Sequence, residues 1–400
     1  MTTGLTLLVL VAAAFFAAHF ASDRLAKRFL IVSGAEYLAL GILLGPQATG
    51  ILTPGLLESL APFPLLALGW IGVITGTRFN LQEMVNVSAV TYQVAMLEST
   101  LTFTTVTALL LFALSWSFDT SLSVAGPAAI TLGAIAVSSS RQTYNVVSTH
   151  LGTSNPLVRQ LDISAAINAL TAAAIFGCVL SAYHAAPAGA ARPLTTMEWT
   201  VLTVALGGVG GMLFHLFLGP EAHIDRLFVA LAGAIILVSG AAAYLQLSPL
   251  FAGVAFGFVL TNTSRRREEI VAALLRIERP LFFVLLVFAG AMWRPSLRAW
   301  VLPVLLFLAA RAAGKIGGAR LAARTLGLLP VLGPHWGRAL LGQGGIAVAI
   351  GVDYLQQQAL PFATIVFTAT IASVLLTDLT SARFAHSVAN TLAHVEDNAT

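Results

Sequence analysis

An apolar segment that turns abruptly polar constrains this chain more than any other feature. Ala129 to Val137 has the composition of a membrane helix, and eight polar residues, 138–145 (SSSRQTYN), follow it directly. Backbone that leaves the helix inside a membrane is tolerated only where it lines a cavity or is packed within protein. The segment therefore predicts a break in a membrane helix on a solute path. The alternative is a loop between two spans, with no further helix before Leu157 in either case.

Composition places the whole chain in a membrane. Of its 400 residues 58% are hydrophobic and 10% are charged, whereas a soluble domain is about 25% charged. Its mean hydropathy is +0.88. We therefore predict an all-α polytopic membrane protein, and the pI near 9.6 is no sign of a nucleic-acid partner. No basic region precedes the apolar N-terminal segment, which is expected to be a retained helix rather than a cleaved signal.

Hydropathy divides the chain into about thirteen transmembrane helices of about 20 residues each. The region 386–400 is then expected to be a short cytoplasmic tail with no further domain. The spans are predicted near 4–22, 29–45, 60–78, 87–115, 126–149, 157–182, 197–217, 226–245, 248–262, 280–293, 299–323, 337–354 and 360–382.

The distribution of basic residues over the loops agrees with this count. With the N-terminus outside, fifteen of the 21 Lys and Arg residues fall in cytoplasmic segments and three in external segments. The other three, Arg141, Arg311 and Lys315, lie within predicted spans. Because cytoplasmic loops are enriched in Lys and Arg, the C-terminus is also predicted to be cytoplasmic.

A second interrupted helix lies seven spans after the first and has the opposite orientation. There the residues 342–345 (GQGG) interrupt an apolar run, GRALLGQGGIAVAIGV. Two broken helices of opposite orientation indicate inverted-topology repeats whose half-helix ends point at a common site. The alternative is that these glycines only allow helices to pack closely, as small residues do in lipid.

Four segments also resemble a known family. Residues 27–52, KRFLIVSGAEYLALGILLGPQATGIL, resemble the second-helix motif of the cation/proton antiporter superfamily, in particular the sodium/hydrogen exchanger family with its Kef-like branch. Residues 248–269, 311–324 and 337–351 resemble later helices of that family and occur in its order. The resemblance covers about residues 5–385.

The resemblance implies a homodimer with thirteen helices per chain, two of them discontinuous and crossed. It implies a core domain near 126–182 and 299–382 that moves against dimerisation helices from the remainder of 1–385. The implied function is exchange of Na⁺ or K⁺ for protons by alternating access, in the inner membrane of a bacterium. Monovalent cations, protons and the lipid bilayer are the expected partners.

The resemblance also implies an ion site, and here the chain departs from the family pattern. Ser138, Ser139 and Ser140 match the first crossover of the family, and serine hydroxyls are oxygen donors suited to an alkali cation. An ungapped alignment places Asn168 and Ala169 on the family's pair of polar residues. An alanine would then stand where the family has its ion-binding aspartate.

A second alignment, with a shorter loop, makes Asp162 the ion-binding carboxylate. Na⁺ or K⁺ would then lie at Ser139, Ser140 and Asp162. The alternative for Asp162 is an ion pair with Arg159, three residues before it on the same helix.

Basic residues near the end of the chain complete the predicted site. Arg311 matches a basic residue that neighbours the family's ion site. Lys315 lies one turn further along the same face, unless it extends towards the cytoplasm from a helix end. The remaining candidates for ion or substrate binding are polar residues of the two breaks, namely Arg141, Thr143, Asn145 and Gln343.

Glu98 and Asp353 are further acids within predicted spans or at their ends. Glu98 is expected to pair with Arg311 or to carry a proton, the alternative being a role in packing or dimer contacts. Asp353 is expected at the external surface. The 8 histidines show no metal-ligand spacing, and no serine lies in a nucleophile elbow, so no enzyme, resident metal or cofactor is predicted.

Two further functions stay open at this point. The missing aspartate and Arg141 also fit a divergent member of the family that carries an anionic or organic solute. A membrane scaffold or sensor that kept the fold without transporting anything is the other alternative.

Overall fold

The computed structural model describes residues 35–184, 192, 194–217, 224–294, 301–357, 360–377 and 380. The predicted first span near 4–22, the beginning of the second and the tail at 386–400 lie outside the described residues. Within the described ranges the regular structure is entirely helical. The predicted all-α fold class is confirmed.

Helices of ten residues or more form the framework. Short helices cover Pro54–Ser59, Leu81–Met84 and Leu329–Leu332, and a 3-10 helix covers Trp336–Leu340. The longer helices are α1 (Ala35–Leu44), α2 (Pro62–Thr77), α3 (Ala89–Phe118), α4 (Leu122–Val137), α5 (Arg141–Leu151), α6 (Pro156–Ala182), α7 (Thr196–Phe217), α8 (Ile224–Tyr244), α9 (Pro249–Thr263), α10 (Arg267–Met292), α11 (Val301–Thr325), α12 (Gly345–Gln356) and α13 (Ala363–Thr377).

Many of these helices have the length and composition of membrane spans. Among the described residues, α3, α6, α7, α11 and the part of α8 from Arg226 are long and apolar enough to cross a membrane. The helices α2, α4, α9, α12 and α13 are shorter but also apolar. The chain is a multi-pass membrane protein, and α4 and α12 are short because each is one half of an interrupted helix.

Helix packing follows two main groups of contacts. In one group, α3 packs against α4, α6 and α11. In the other, α9 packs chiefly on α2 and α7. Helix α10 packs chiefly on α1. Glycine allows the closest of these approaches. A Cβ atom added at Gly76 of α2 would lie 2.1 Å from the carbonyl oxygen of Val254 in α9, so these backbones are in direct contact, as small residues permit in lipid.

The helix α10 begins earlier than the predicted span at 280–293. It starts at Arg267 and continues through Pro280 to Met292. Its first half buries Ile270 and Leu274 and carries charged residues on its other face. Hydropathy detects only the apolar second half, because an amphipathic helix has a low average hydropathy.

Candidate functional site

The first interrupted helix breaks at three serines. Helix α4 ends at Val137 and α5 begins at Arg141, so the break comprises Ser138, Ser139 and Ser140. The predicted break is confirmed, but its predicted extent of 138–145 is wrong, as is the expectation of no helix before Leu157. A run of polar residues suggests irregular backbone, whereas α5 is amphipathic, and Thr143 and Val147 on its inner face are buried.

The second break meets the first. The 3-10 helix ends at Leu340 and α12 begins at Gly345. Between them, the carbonyl oxygen of Gly342 accepts a hydrogen bond of 2.8 Å from the backbone N–H of Ser140. Gly344 is extended, with φ −123° and ψ −167°. These glycines therefore lie in a true interruption, and close packing of a continuous helix does not account for them.

Two buried cations bind the carbonyl groups that the breaks leave open. Arg311 donates to the carbonyl oxygens of Leu341 at 2.8 Å and Ser138 at 3.3 Å. Lys315 donates to the carbonyl oxygen of Val137. The last carbonyls of a helix lack partners within it and carry partial negative charge. Lys315 has no exposed surface, so the alternative that it extends towards the cytoplasm is wrong.

A fully buried carboxylate joins this cluster from α3. Glu98 Oε1 lies 3.0 Å from Lys315 Nζ and accepts a 3.0 Å hydrogen bond from Thr102. Its Oε2 accepts a 3.1 Å hydrogen bond from Asn168 Nδ2. Glu98 thus pairs with Lys315, not with Arg311 as one of the predictions had it. Glu98 and Thr102 share a helix face because they are four residues apart.

Asn168 links the carboxylate to the break. Its amide nitrogen also lies 3.1 Å from Ser139 Oγ, and its Oδ1 accepts a hydrogen bond from Ser99. Ser139 in turn donates to the carbonyl oxygen of Leu340 at 3.1 Å. A continuous polar chain therefore connects Glu98, through Asn168 and Ser139, to the second break.

Asp162 lies away from this chain. It pairs with Arg141 at 3.3 Å, and both side chains are about two-fifths exposed, at 40% and 42%. Arg159 donates instead to the carbonyl oxygen of Asn86 at 2.9 Å, so the ion pair between Arg159 and Asp162 is wrong. Asp162 and Asn168 are six residues apart, which places them about 120° apart around the helix.

A cavity of 450 Å³ opens beside the Arg141–Asp162 pair. It lies between α2, α9 and the beginning of α10 on one side and α5 and α6 on the other. It extends along α6 to Ile167, the residue before Asn168. Its charged lining residues are Arg78, Glu83, Arg141, Asp162, Arg267 and Glu268.

The other predicted residues differ in their placement. Gln343 is buried and donates to the carbonyl oxygen of Ile135 at 3.1 Å, and its Oε1 has no hydrogen-bond partner among the described residues. Thr143 is buried in α5, and its hydroxyl also has no partner there. Asn145 is exposed on α5. The structure thus gathers the three serines, Asn168, Arg311, Lys315 and Gln343 at the breaks, and leaves Arg141, Asn145 and Asp162 outside.

The set predicted from sequence lacked three members of the cluster, Glu98, Ser99 and Thr102. One signal was present, since Glu98 is the only charged residue in the 30 residues of α3. An ionisable side chain within a membrane helix marks a functional site by default. Ser99 and Thr102 gave no such signal, because hydroxyl side chains recur throughout α3.

Asp353 is also not where the sequence placed it. The side chain is fully buried in α12 rather than at the external surface. It accepts hydrogen bonds from Ser248, the N-cap residue of α9, at 3.0 Å and from Gln357 at 3.4 Å. The second buried acid of the described chain is therefore held by neutral donors.

Comparison with known proteins identifies the fold. No family profile and no curated protein matches the chain. Two structures of the sodium proton antiporter MjNhaP1 from Methanocaldococcus jannaschii do. One, determined at pH 8, has a TM-score of 0.70 at 14% identity and covers 97% of this chain and 99% of that chain. The other, an electron microscopy map, has a TM-score of 0.65 at 16% identity, with 96% and 98% covered.

At such low identity the likeness establishes the fold alone. The chain has the antiporter fold over almost its whole length, which confirms the predicted fold class. The two crossed, discontinuous helices that were predicted from sequence are part of it.

Proposed function

We propose that this chain is a monovalent cation/proton antiporter that exchanges Na⁺ or K⁺ for protons by alternating access. The observation that carries the proposal is the contact between two helix breaks, at which Ser140 bonds to Gly342 and buried polar side chains converge. Irregular backbone at membrane depth is a feature of transporter binding sites. A purely structural helix pair would have no need of it.

The geometry offers a route and a set of ligands. The cavity beside α6 extends to Ile167, the residue before the buried Asn168. Beyond it lie oxygen atoms of Ser139, Asn168 and Glu98, and oxygen is the donor that hard cations prefer. The shared fold with a protein that is named a sodium proton antiporter supports the same function.

The charge arrangement favours a cation over an anionic solute. Both buried cations already donate to main-chain carbonyls, and Lys315 also pairs with Glu98. Arg141 is paired with Asp162 at the cavity. An anion would have to displace these partners from the cationic side chains, whereas a cation has to displace only Lys315 from Glu98 and would also meet several neutral oxygen atoms.

We propose the same setting that the sequence indicated. The protein would lie in the inner membrane of a bacterium as a homodimer, with its N-terminus outside and its C-terminus in the cytoplasm. The cavity would then open to the cytoplasm, because Arg78, at the end of α2, lies in a segment predicted to be cytoplasmic.

Flux measurements in reconstituted vesicles test this function. Purified protein is inserted into vesicles that contain a pH-sensitive dye and carry a pH gradient. Pulses of Na⁺, K⁺ or Li⁺ should then collapse the gradient, and choline should not. Protein-free vesicles give the background rate.

Two variants tie the flux to the breaks. Ser139→Ala and Asn168→Ala should each slow the cation-driven change, since each removes an oxygen atom beside the first break. Thr149→Ala, on the exposed face of α5, should behave as wild type. A folded protein that gives no cation-driven pH change would contradict the antiporter and favour the scaffold or sensor. Flux of an anion without any cation response would favour a divergent transporter of an anionic or organic solute.

A further inference from the structure

The structure raises the question of which carboxylate holds the cation. Position 169 is an alanine, and Asp162 is half-exposed beside the cavity. Among the described Asp and Glu residues, only Glu98 and Asp353 are buried. Asp353 bonds to Ser248 and Gln357 and contacts neither break. Glu98 is thus the buried acid that belongs to the cluster at the breaks.

We propose that Glu98 is the carboxylate that binds the transported cation, and that the cation competes for it with the ammonium group of Lys315. The inference rests on the proposed function. It moves the ion-binding acid from α6, where the sequence placed it, to α3.

The surroundings of Glu98 are those of a cation site. Its two oxygen atoms meet donors from three other side chains, Thr102, Asn168 and Lys315. Apart from Lys315 these are neutral groups whose oxygen atoms can turn to a cation, and Ser99 adds a further hydroxyl oxygen beside Asn168. With Lys315 in place, the carboxylate already holds one positive charge at 3.0 Å.

Competition follows from the charge count. The charged side chains that face Lys315 within the described structure are Glu98 of α3 and Arg311 of its own helix. One carboxylate cannot neutralise both an ammonium group and a cation in a medium of low dielectric. An entering Na⁺ or K⁺ therefore takes the place of the ammonium group at Glu98 and leaves Lys315 bonded to the carbonyl oxygen of Val137.

The first experiment measures transport. Glu98→Gln keeps the shape and removes the charge, so the cation-driven pH change should fall about 10- to 100-fold, the factor that corresponds to losing a hydrogen bond to a charged group. Glu98→Asp should retain part of the activity. Asp353→Asn, a change at the other buried acid, should retain most of it.

The second experiment measures cation binding through stability, without any transport. In Lys315→Met the carboxylate lacks its partner, so Na⁺ or K⁺ should raise the melting temperature more than in wild type. N-methylglucamine at equal ionic strength serves as a cation that is too large for a buried site. In the double variant Glu98→Gln, Lys315→Met this cation-specific shift should disappear, because neither charge is left.

The outcomes separate the inference from the proposed function. Wild-type flux in Glu98→Gln, or a melting temperature of Lys315→Met that does not depend on the cation, would overturn the role of Glu98 and leave the antiporter intact. A cation-specific shift that needs Glu98, in a protein without flux, would support the site and contradict the antiporter. Should Glu98→Gln fail to fold, the double variant, in which the charges are removed together, gives the decisive comparison.

Discussion

Two ion pairs of similar composition lie in opposite surroundings in this molecule. Arg141 and Asp162 meet at 3.3 Å with 42% and 40% of their side chains exposed. Lys315 and Glu98 meet at 3.0 Å with 0% exposed. An exposed pair contributes about 0–1 kcal/mol, whereas removing one partner of a buried pair costs about 3–5 kcal/mol. Burial, more than residue type, decides which pair the fold depends on.

The two pairs also differ in what surrounds them. Water in the cavity can solvate Arg141 and Asp162 separately, so this pair can open at little cost. Lys315 and Glu98 are instead linked to the first helix break, Lys315 through Val137 and Glu98 through Asn168, which bonds to Ser139. A change at the buried pair should therefore affect both stability and ion binding.

The largest effect is expected from breaking the buried pair on one side. Glu98→Ala leaves Lys315 without its counter-charge and should lower the free energy of unfolding by about 3–5 kcal/mol. The double variant Glu98→Gln, Lys315→Met should lie within about 1 kcal/mol of wild type, because no buried charge is left unpaired. Unfolding in mixed detergent micelles measures both. A double variant as unstable as Glu98→Ala would show that packing, not charge, gives the pair its importance.

A smaller effect is expected where a buried acid is held by neutral donors. Ser248→Ala removes one of the two side-chain hydrogen bonds to Asp353 and the cap of α9, and should cost about 1–3 kcal/mol. The same unfolding assay applies. Ser181→Ala is the matched control, since this buried hydroxyl bonds only within its own helix, to Gly177. Equal losses in both variants would contradict a special role for Asp353.

The smallest effect is expected at the exposed pair. Asp162→Asn should change the free energy of unfolding by no more than about 1 kcal/mol. The difference in free energy of unfolding between this variant and wild type should shrink further in high salt, because the screening length falls from about 8 Å at 0.15 M to about 3 Å at 1 M. Unfolding at the two salt concentrations measures it. A loss larger than that of Ser248→Ala would reverse the comparison between the pairs.

The sequence predicted the positions of the two helix breaks better than the structure of the residues that follow the first one. The serines after Val137 and the glycines at 342–345 were identified because polar and flexible residues are rare within apolar helices. Helix α5 was missed because its polar residues suggest irregular backbone when only their average is considered. Its period of 3.6 residues, with Thr143 and Val147 inside, becomes evident once the buried face is known.

The candidate site was predicted in part. Asn168, Arg311 and Lys315 were named from the resemblance, and the structure brings them to the breaks with the three serines. The preference between Asn168 and Asp162 could not be decided, since both lie on α6 and only packing shows which face meets the break. Glu98 was noted as an intramembrane acid, but its partner on α11 is more than 200 residues away in the chain.

The sequence by itself determined that this protein is a helical membrane protein with two interrupted helices, because the cost of placing polar groups in hydrocarbon leaves few alternatives. Only the tertiary structure decided that the breaks touch, that Glu98 pairs with Lys315, and that Asp162 faces the cavity. These are contacts between distant segments, and they depend on how helices rotate and pack against one another, which composition and hydropathy along one segment do not specify.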